Sequence, residues 1–291
     1  SCRGSVMDMV LLHGLLFLLP LAALLLYRYN ATFHYFCKVA FFHCWIVVMA
    51  IIFFPLALLR GRSVENMKLE SAPFQHRKHS SFLSPLRVLQ SPLLHPPSIP
   101  LVILMPNEWI LSSPIHPPGM AEFLPDRCVP IAKKELLYMG IVGWACWLSG
   151  FIFINRHKRE DAIYIISQTA RTIRRENLRV LIFPEGTRNE DKSMLPFKRG
   201  AFHLAVQAQV PIIPVVISPY WDFFSSKDKK FTSGTCTIRI LPRIETRCLS
   251  PKDVPELTET VRQAMVDAFA EMSTGHRGDH QAEQLPRCTG A

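Results

Sequence analysis

The apolar positions are clumped rather than evenly spread, and the clumps define the layout of the chain. Residues 10–27 (VLLHGLLFLLPLAALLLY) and 39–59 (VAFFHCWIVVMAIIFFPLALL) carry no formal charge apart from a histidine in each. Each is long enough to cross a hydrocarbon layer of about 30 Å as a helix, which takes about 20 residues. Separated by about a dozen residues, they predict a membrane hairpin of two helices within an anchoring segment, residues 1–68. A cleaved leader is the competing reading for the first run and a buried soluble helix for the second. Arg60, Arg62 and Lys68 after the second run favour a cytoplasmic exit, while Arg28 and Lys38 in the short loop oppose it.

Residues 69–118 change texture, with prolines from Pro73 to Pro118 and no glycine. Proline fixes φ and removes a backbone donor, so this stretch predicts an irregular segment with no helix interiors or central strands. Only residues 99–105 (IPLVILM) form a short strand candidate. From Gly119 the pattern is that of a folded α/β domain ending near Met272. Residues 128–132 predict a strand, and 136–154 a buried helix followed by a core strand, with a third membrane span as the alternative. In residues 160–176, Ile163, Ile166, Ala170 and Ile173 share a helical face. Residues 179–183 predict a strand, 198–208 a helix, and 210–217 (VPIIPVVI) a strand whose prolines suit an edge or a bend. Residues 235–241 alternate as a strand. Residues 253–272 predict an amphipathic helix presenting Leu257, Val261, Met265, Phe269 and Met272, and 273–291 read as a polar, disordered tail. Strands alternating with helices predict an α/β fold: a mixed sheet flanked by helices behind N-terminal membrane helices.

Composition changes this picture only in part. The formal net charge of +10 favours anionic headgroups and phosphate-bearing ligands. A nucleic-acid binder would rest on that charge alone, since no nucleic-acid motif is present. The eight cysteines show no metal spacing and read as free thiols, and His76 and His79 form a lone H-x-x-H in a polar loop. The predicted strand 179–183 runs into Phe183-Pro184-Glu185-Gly186-Thr187-Arg188-Asn189 (FPEGTRN). There Gly186 permits close backbone approach, Thr187 offers a hydroxyl and Arg188 a fork matching phosphate oxygens. Glu185 reads as orienting Arg188 or Lys198. An ordinary strand-exit turn with a surface ion pair is the competing reading.

FPEGTRN, followed by LPFKRGAFHLAVQAQVPIIPVV and preceded by GFIFINR, resembles the glycerolipid acyltransferases. The likeness is greatest to the 1-acyl-sn-glycerol-3-phosphate acyltransferase family, which makes phosphatidic acid from lysophosphatidic acid and acyl-CoA. It covers residues 119–272 and reaches 36–68, including RGRSVENMK. It implies a glycerolipid-acyltransferase-type domain in the endoplasmic reticulum membrane, using acyl-CoA as co-substrate with no cofactor and no metal. Its lipid partners are lysophosphatidic acid, acyl-CoA and the bilayer. By the same resemblance, Glu185, Gly186, Thr187 and Arg188 bind the acceptor phosphate. Phe153, Asn155 and Arg156 help to form the acceptor site, with Phe183, Pro184 and Lys198 lining it.

The family supplies its base as N-H-x-x-x-x-D, just upstream of a stretch represented here by GMAEFLPDRCVPIAK. Counting back, the histidine position falls on Leu111 and the aspartate position on His116. No histidine in the chain has an aspartate five residues later; His157 and Asp161 come nearest, spaced by four. His116 is the remaining candidate base, between proline-rich flanks and with no carboxylate placed to orient it. The abrupt change at Gly119 suggests that 69–118 arises from an alternative exon, a retained intron or a faulty gene model, replacing the early part of the domain. The resemblance therefore implies acyl-CoA-dependent acylation of lysophosphatidic acid to phosphatidic acid, and the missing base implies little or no transfer activity in this chain. The alternative is an inactive membrane isoform that binds glycerophospholipid or a partner protein.

Overall fold

The computed structural model describes residues 18, 22, 24–66, 86–87, 100–105, 125–155, 159–187, 189, 193–232 and 236–282. Residues 24–29 are helical, and Asn30 (φ −107°, ψ 107°) breaks the helix. Helix α1, Ala31–Arg60, starts at once, with the Asn30 side chain accepting from the Phe33 amide at 3.0 Å. The predicted dozen-residue loop is thus a single capping residue. Tertiary packing and the cap outweigh the polar character of Arg28 and Lys38. Most of the first apolar run lies outside the described residues. Among those described, α1 is the one helix long and apolar enough to cross a membrane, with mean hydropathy 2.4.

Both ends of α1 rest on the same folded domain. Near its start the Tyr35 hydroxyl lies 3.2 Å from Ser226 Oγ, and Lys38 Nζ donates to the Phe231 carbonyl at 3.0 Å. Past its end, the Ser63 amide donates to the Leu148 carbonyl at 2.9 Å. Asn66, fully buried, donates from its side-chain amide to the Gly61 and Leu148 carbonyls, each at 2.9 Å. Asn66→Leu would strand the Gly61 carbonyl, while that of Leu148 keeps Ser63. A loss of about 1–3 kcal/mol is expected, read from denaturant titration in mild detergent; unchanged stability would show that this clip is redundant.

The domain has strands β1 (Leu86–Arg87), β2 (Leu101–Leu104), β3 (Cys128–Lys133), β4 (Ile152–Ile154), β5 (Arg179–Ile182), β6 (Ile212–Ile217), β7 (Phe224–Ser225), β8 (Lys230–Phe231) and β9 (Cys236–Ile240). Helices α2 (Gly140–Leu148), α3 (Arg159–Glu176), α4 (Gly200–Ala208) and α5 (Val254–Ala282) follow α1. Among the described residues the main sheet runs β1-β9-β6-β2-β5-β3-β4, and β7 pairs with β8 as a separate hairpin. Strands β6, β2, β5, β3 and β4 are mutually parallel, while β9 is antiparallel to β6 and parallel to β1. The sheet is mixed, as expected.

One expectation changes at the centre of the sheet. Leu101–Leu104 is a central strand, buried throughout, between β5 and β6. The prolines that argued against strands stop at Pro100 and resume at Pro106, leaving five proline-free residues whose amides can join the ladders. Alternation along β2 builds both cores. Leu101 and Ile103, with Met105 beyond the strand, face a cluster holding Tyr35, Phe183 and Phe224; Val102 and Leu104 face one holding Ala170, Phe202, Val261 and Met265. The result is three layers, with α1 and α2 on one face of the sheet and α3, α4 and α5 on the other.

Three further boundaries shift. Strand β6 is interior rather than an edge: it pairs with β2 up to Pro214 and with β9 from Val215 on, so the missing donor falls where the partner changes. The run 136–154 is no single span. A 3-10 turn, Lys134–Tyr138, precedes α2, and Gly150 (φ 83°) ends it before β4. Nor is α2 a buried helix, because Trp144 and Trp147 are 60% and 43% exposed. Finally, α5 continues to Ala282, so residues 273–282 are helical where a disordered tail was expected. Ser273 satisfies its hydroxyl on the Phe269 carbonyl, and Glu271 pairs with Arg239 at 2.7 Å.

Candidate functional site

Parallel strands deliver their carboxyl ends to one edge, and open α/β sheets bind ligands outside that edge. Leu104 is opposite Ile182, the Met105 amide donates to the Ile182 carbonyl at 3.1 Å, and Lys133 is opposite Ile154. Counting on in this register places Met105, Phe183, Ala132 and Phe153 in one row. Asn155 and the turn from Pro184 onward lie just beyond it. Phe153 and Phe183 are separated by one strand, about 10 Å. The chain leaving β2 therefore emerges beside the FPEGTR turn. Leu111 and His116 lie on that outgoing segment, outside the described residues, as do Arg156, His157 and Arg188. The H-x-x-H of His76 and His79 is likewise outside them.

The turn is built from inside. Phe183, Pro184, Glu185 and Asn189 are buried. The Glu185 carboxylate, in a residue 2% exposed, accepts from Asn189 Nδ2 and from the Leu195 amide, both at 3.2 Å. Asn189 also donates to the Ser193 carbonyl. Glu185 thus faces the base of the loop. Arg262 on α5 braces the same loop from outside, donating to the Met194 and Leu195 carbonyls at 3.3 and 3.4 Å.

Above this base, Gly186 takes φ 64°, and its hydrogen faces Lys198. Lys198 is exposed; its amide donates to the Pro184 carbonyl at 2.7 Å and its ammonium to the Gly186 carbonyl at 3.4 Å. Thr187 is exposed beside it. Two residues on, the amino end of α4 begins at Gly200, bringing unpaired amides and a positive partial charge to the edge that holds Lys198. Phe153 and Asn155 are half-buried at the end of β4, with β3 between them and the turn. At the opposite end of β3, burial pushes the Cys128 thiol up to about 12, so it is no nucleophile.

The structure therefore brings together Phe183, Pro184, Gly186, Thr187 and Lys198, with Phe153 and Asn155 one strand away. Sequence reading gave no part to Asn189 or Arg262. Asn189 stands in the quoted motif, where its polarity next to a buried acid was the available signal. Arg262 meets the loop only through the tertiary fold, and nothing local marks it.

Known proteins resemble this chain in sequence and in fold. A family model described as Acyltransferase matches residues 112–218. Human 1-acyl-sn-glycerol-3-phosphate acyltransferase alpha is 49% identical over 245 residues, 84% of this chain and 84% of its own length. The chain belongs to the 1-acyl-sn-glycerol-3-phosphate acyltransferase family. Within this acyltransferase family, the human beta protein is 40% identical over 255 residues, 87% of this chain and 90% of that one. The crystal structure of the 1-acyl-sn-glycerophosphate (LPA) acyltransferase PlsC from Thermotoga maritima superposes with a TM-score of 0.62 at 21% identity, covering 83% of this chain and 97% of that one. It shares the acyltransferase fold.

Gly186→Ala tests the turn directly. A Cβ there falls 2.7 to 2.9 Å from Lys198 Cδ, Nζ and Cε, so the lysine must leave its place over the turn. The left-handed φ adds about 1–2 kcal/mol of strain. The expected outcome is a modest drop in melting temperature and a much larger loss of affinity for a phosphate-bearing acyltransferase acceptor, measured by isothermal titration. Unchanged affinity would mean that Lys198 is not part of the anion site.

Proposed function

We propose that the chain takes lysophosphatidic acid as acceptor and acyl-CoA as donor, yielding phosphatidic acid, on the cytoplasmic side of the endoplasmic reticulum membrane. The observation that carries this reading is the turn at the carboxyl end of β5. It sets a positive-φ glycine, an exposed hydroxyl and Lys198 beside the amino end of a helix, in a member of this family. Arg188 completes the set with a planar two-donor fork for the phosphate, the arginine chemistry best suited to it. Glu185, buried beneath, holds the loop through Asn189 and the Leu195 amide. Phe153, Asn155, Arg156, Phe183 and Pro184 line the acceptor's glycerol end.

In the reaction, the acceptor hydroxyl oxygen bonds to the thioester carbonyl carbon, the carbon–sulfur bond breaks, and the hydroxyl proton ends on the released thiol. A base must hold that proton as attack proceeds, and donors must meet the oxyanion. Met105, the last described residue after β2, lies beside Phe183 of the turn, so a base on the chain that follows it would have a short way to reach the acceptor.

A second reading is favoured by one observation: no histidine in the sequence has an aspartate five residues later. On that reading the chain binds the acceptor lipid without transferring to it. Parallel assays of labelled acyl-CoA transfer and lysophosphatidic acid binding, with human acyltransferase alpha as reference, separate the two. Comparable rates support transfer, binding without turnover supports the second reading, and absence of binding contradicts both.

A further inference from the structure

Residues 134–148 expose an unusual amount of apolar and aromatic surface for a segment packed on a sheet. Tyr138 is 74% exposed, Met139 61%, Trp144 60% and Trp147 43%. Tyr138 ends the 3-10 turn, Met139 joins it to α2, and Trp144 and Trp147 lie on α2, which packs against α1 in one layer of the fold. The surface of α1 in that layer is also apolar, with Ile51, Ile52, Leu58 and Leu59 between 52% and 87% exposed, and only 12% of its apolar stretch is buried in the protein. The two patches join at the end of α1, where the Arg62 guanidinium lies 5.4 Å from the Trp147 ring.

We propose that residues 134–148 form a second membrane-contacting element, continuous with α1, that lays Tyr138, Met139, Trp144 and Trp147 into the headgroup–acyl boundary of an anionic bilayer. The chemistry selects lipid over a protein partner. Trp and Tyr with an apolar body and a polar tip favour that boundary. Cations ring the patch, with exposed Arg60 and Arg62 at the end of α1 and exposed Lys133 and Lys134 at the start of the turn; Glu135 is the acid among them. Such a belt suits anionic headgroups. Lys133 ends β3 at the carboxyl edge, so this contact would set the FPEGTR turn against the surface from which a lipid acceptor arrives. That consequence rests on the proposed function; the membrane contact does not.

The test uses full-length chains retaining one tryptophan each, Trp45, Trp144 or Trp221, the others replaced by Phe. They are bound to phosphatidylcholine–phosphatidylserine vesicles, three to one, with nitroxide labels at shallow or deep acyl positions. Trp144 should shift to the blue and be quenched more by the shallow label, as Trp221 is not. Trp144→Glu in the native background should weaken vesicle partition about tenfold, with more loss on anionic than on pure phosphatidylcholine vesicles. Trp45 quenched while Trp144 stays open to aqueous iodide would overturn the proposal, leaving α1 as the contact. Self-association that shields Trp144 without lipid quenching would overturn it in favour of a second copy. Unchanged transfer activity in the Trp144→Glu chain assayed in detergent separates this outcome from failure of the acceptor-site reading.

Discussion

Replacing Arg188 by alanine is expected to weaken lysophosphatidic acid binding about 10- to 100-fold. A charge-assisted hydrogen bond contributes about 1.5–3 kcal/mol, and each 1.4 kcal/mol is tenfold in affinity. The effect should be confined to the headgroup. A monoacylglycerol of the same chain length offers no phosphate, so its binding should be nearly unchanged. Arg188→Lys should recover only part of the loss, because an ammonium cannot grip two oxygens in one plane. Equal losses for both lipids would mean that the residue only shapes the turn. The comparison is informative because the loop is held independently, by Glu185 on Asn189 and Leu195 and by Arg262 on the Met194 and Leu195 carbonyls. None of those four bonds involves Arg188.

The second large effect concerns turnover. General-base catalysis typically contributes about 100- to 10,000-fold. On the second reading, the chain transfers acyl groups from acyl-CoA to lysophosphatidic acid more slowly than human acyltransferase alpha by a factor in that range; on the first, the two rates are comparable. Acceptor affinity should stay within about tenfold, since each tenfold is only 1.4 kcal/mol. The rate should also lack the inflection near pH 6.5 that an imidazole base gives. His116→Ala should leave the residual rate unchanged. A rate close to the human protein's, together with collapse in His116→Ala, would identify His116 as the base and refute the second reading.

Much of the domain was legible because its elements carry their own signals. Alternation named β9, a 3.6-residue stripe named α3 and α5, and an apolar run ending in Pro-Glu-Gly named β5 and its turn. What was not legible depended on long-range pairing. Residues 101–104 were legible as a strand within the candidate 99–105, but their central place was not, since it comes from the slot that β5 and β6 leave between them. Pro214 reads as an edge signal until a change of partner at that residue makes it harmless. The uncharged, glycine-containing run 136–154 suggests a buried helix, and only the fold shows Trp144 and Trp147 facing outward. At the candidate site, residue chemistry named the glycine and threonine, and the family resemblance named Lys198. The inward direction of Glu185 and the brace from Arg262 were not, since both are set by packing between distant segments.

The most direct measurement is a structure of the chain with lysophosphatidic acid bound. The account predicts the phosphate at the carboxyl end of β5, within hydrogen-bonding reach of the Gly186–Thr187 backbone, Lys198 Nζ and the Arg188 guanidinium, with the glycerol hydroxyl directed toward the segment leaving β2. A phosphate lodged elsewhere, with Arg188 engaged only by neighbouring side chains, would contradict it.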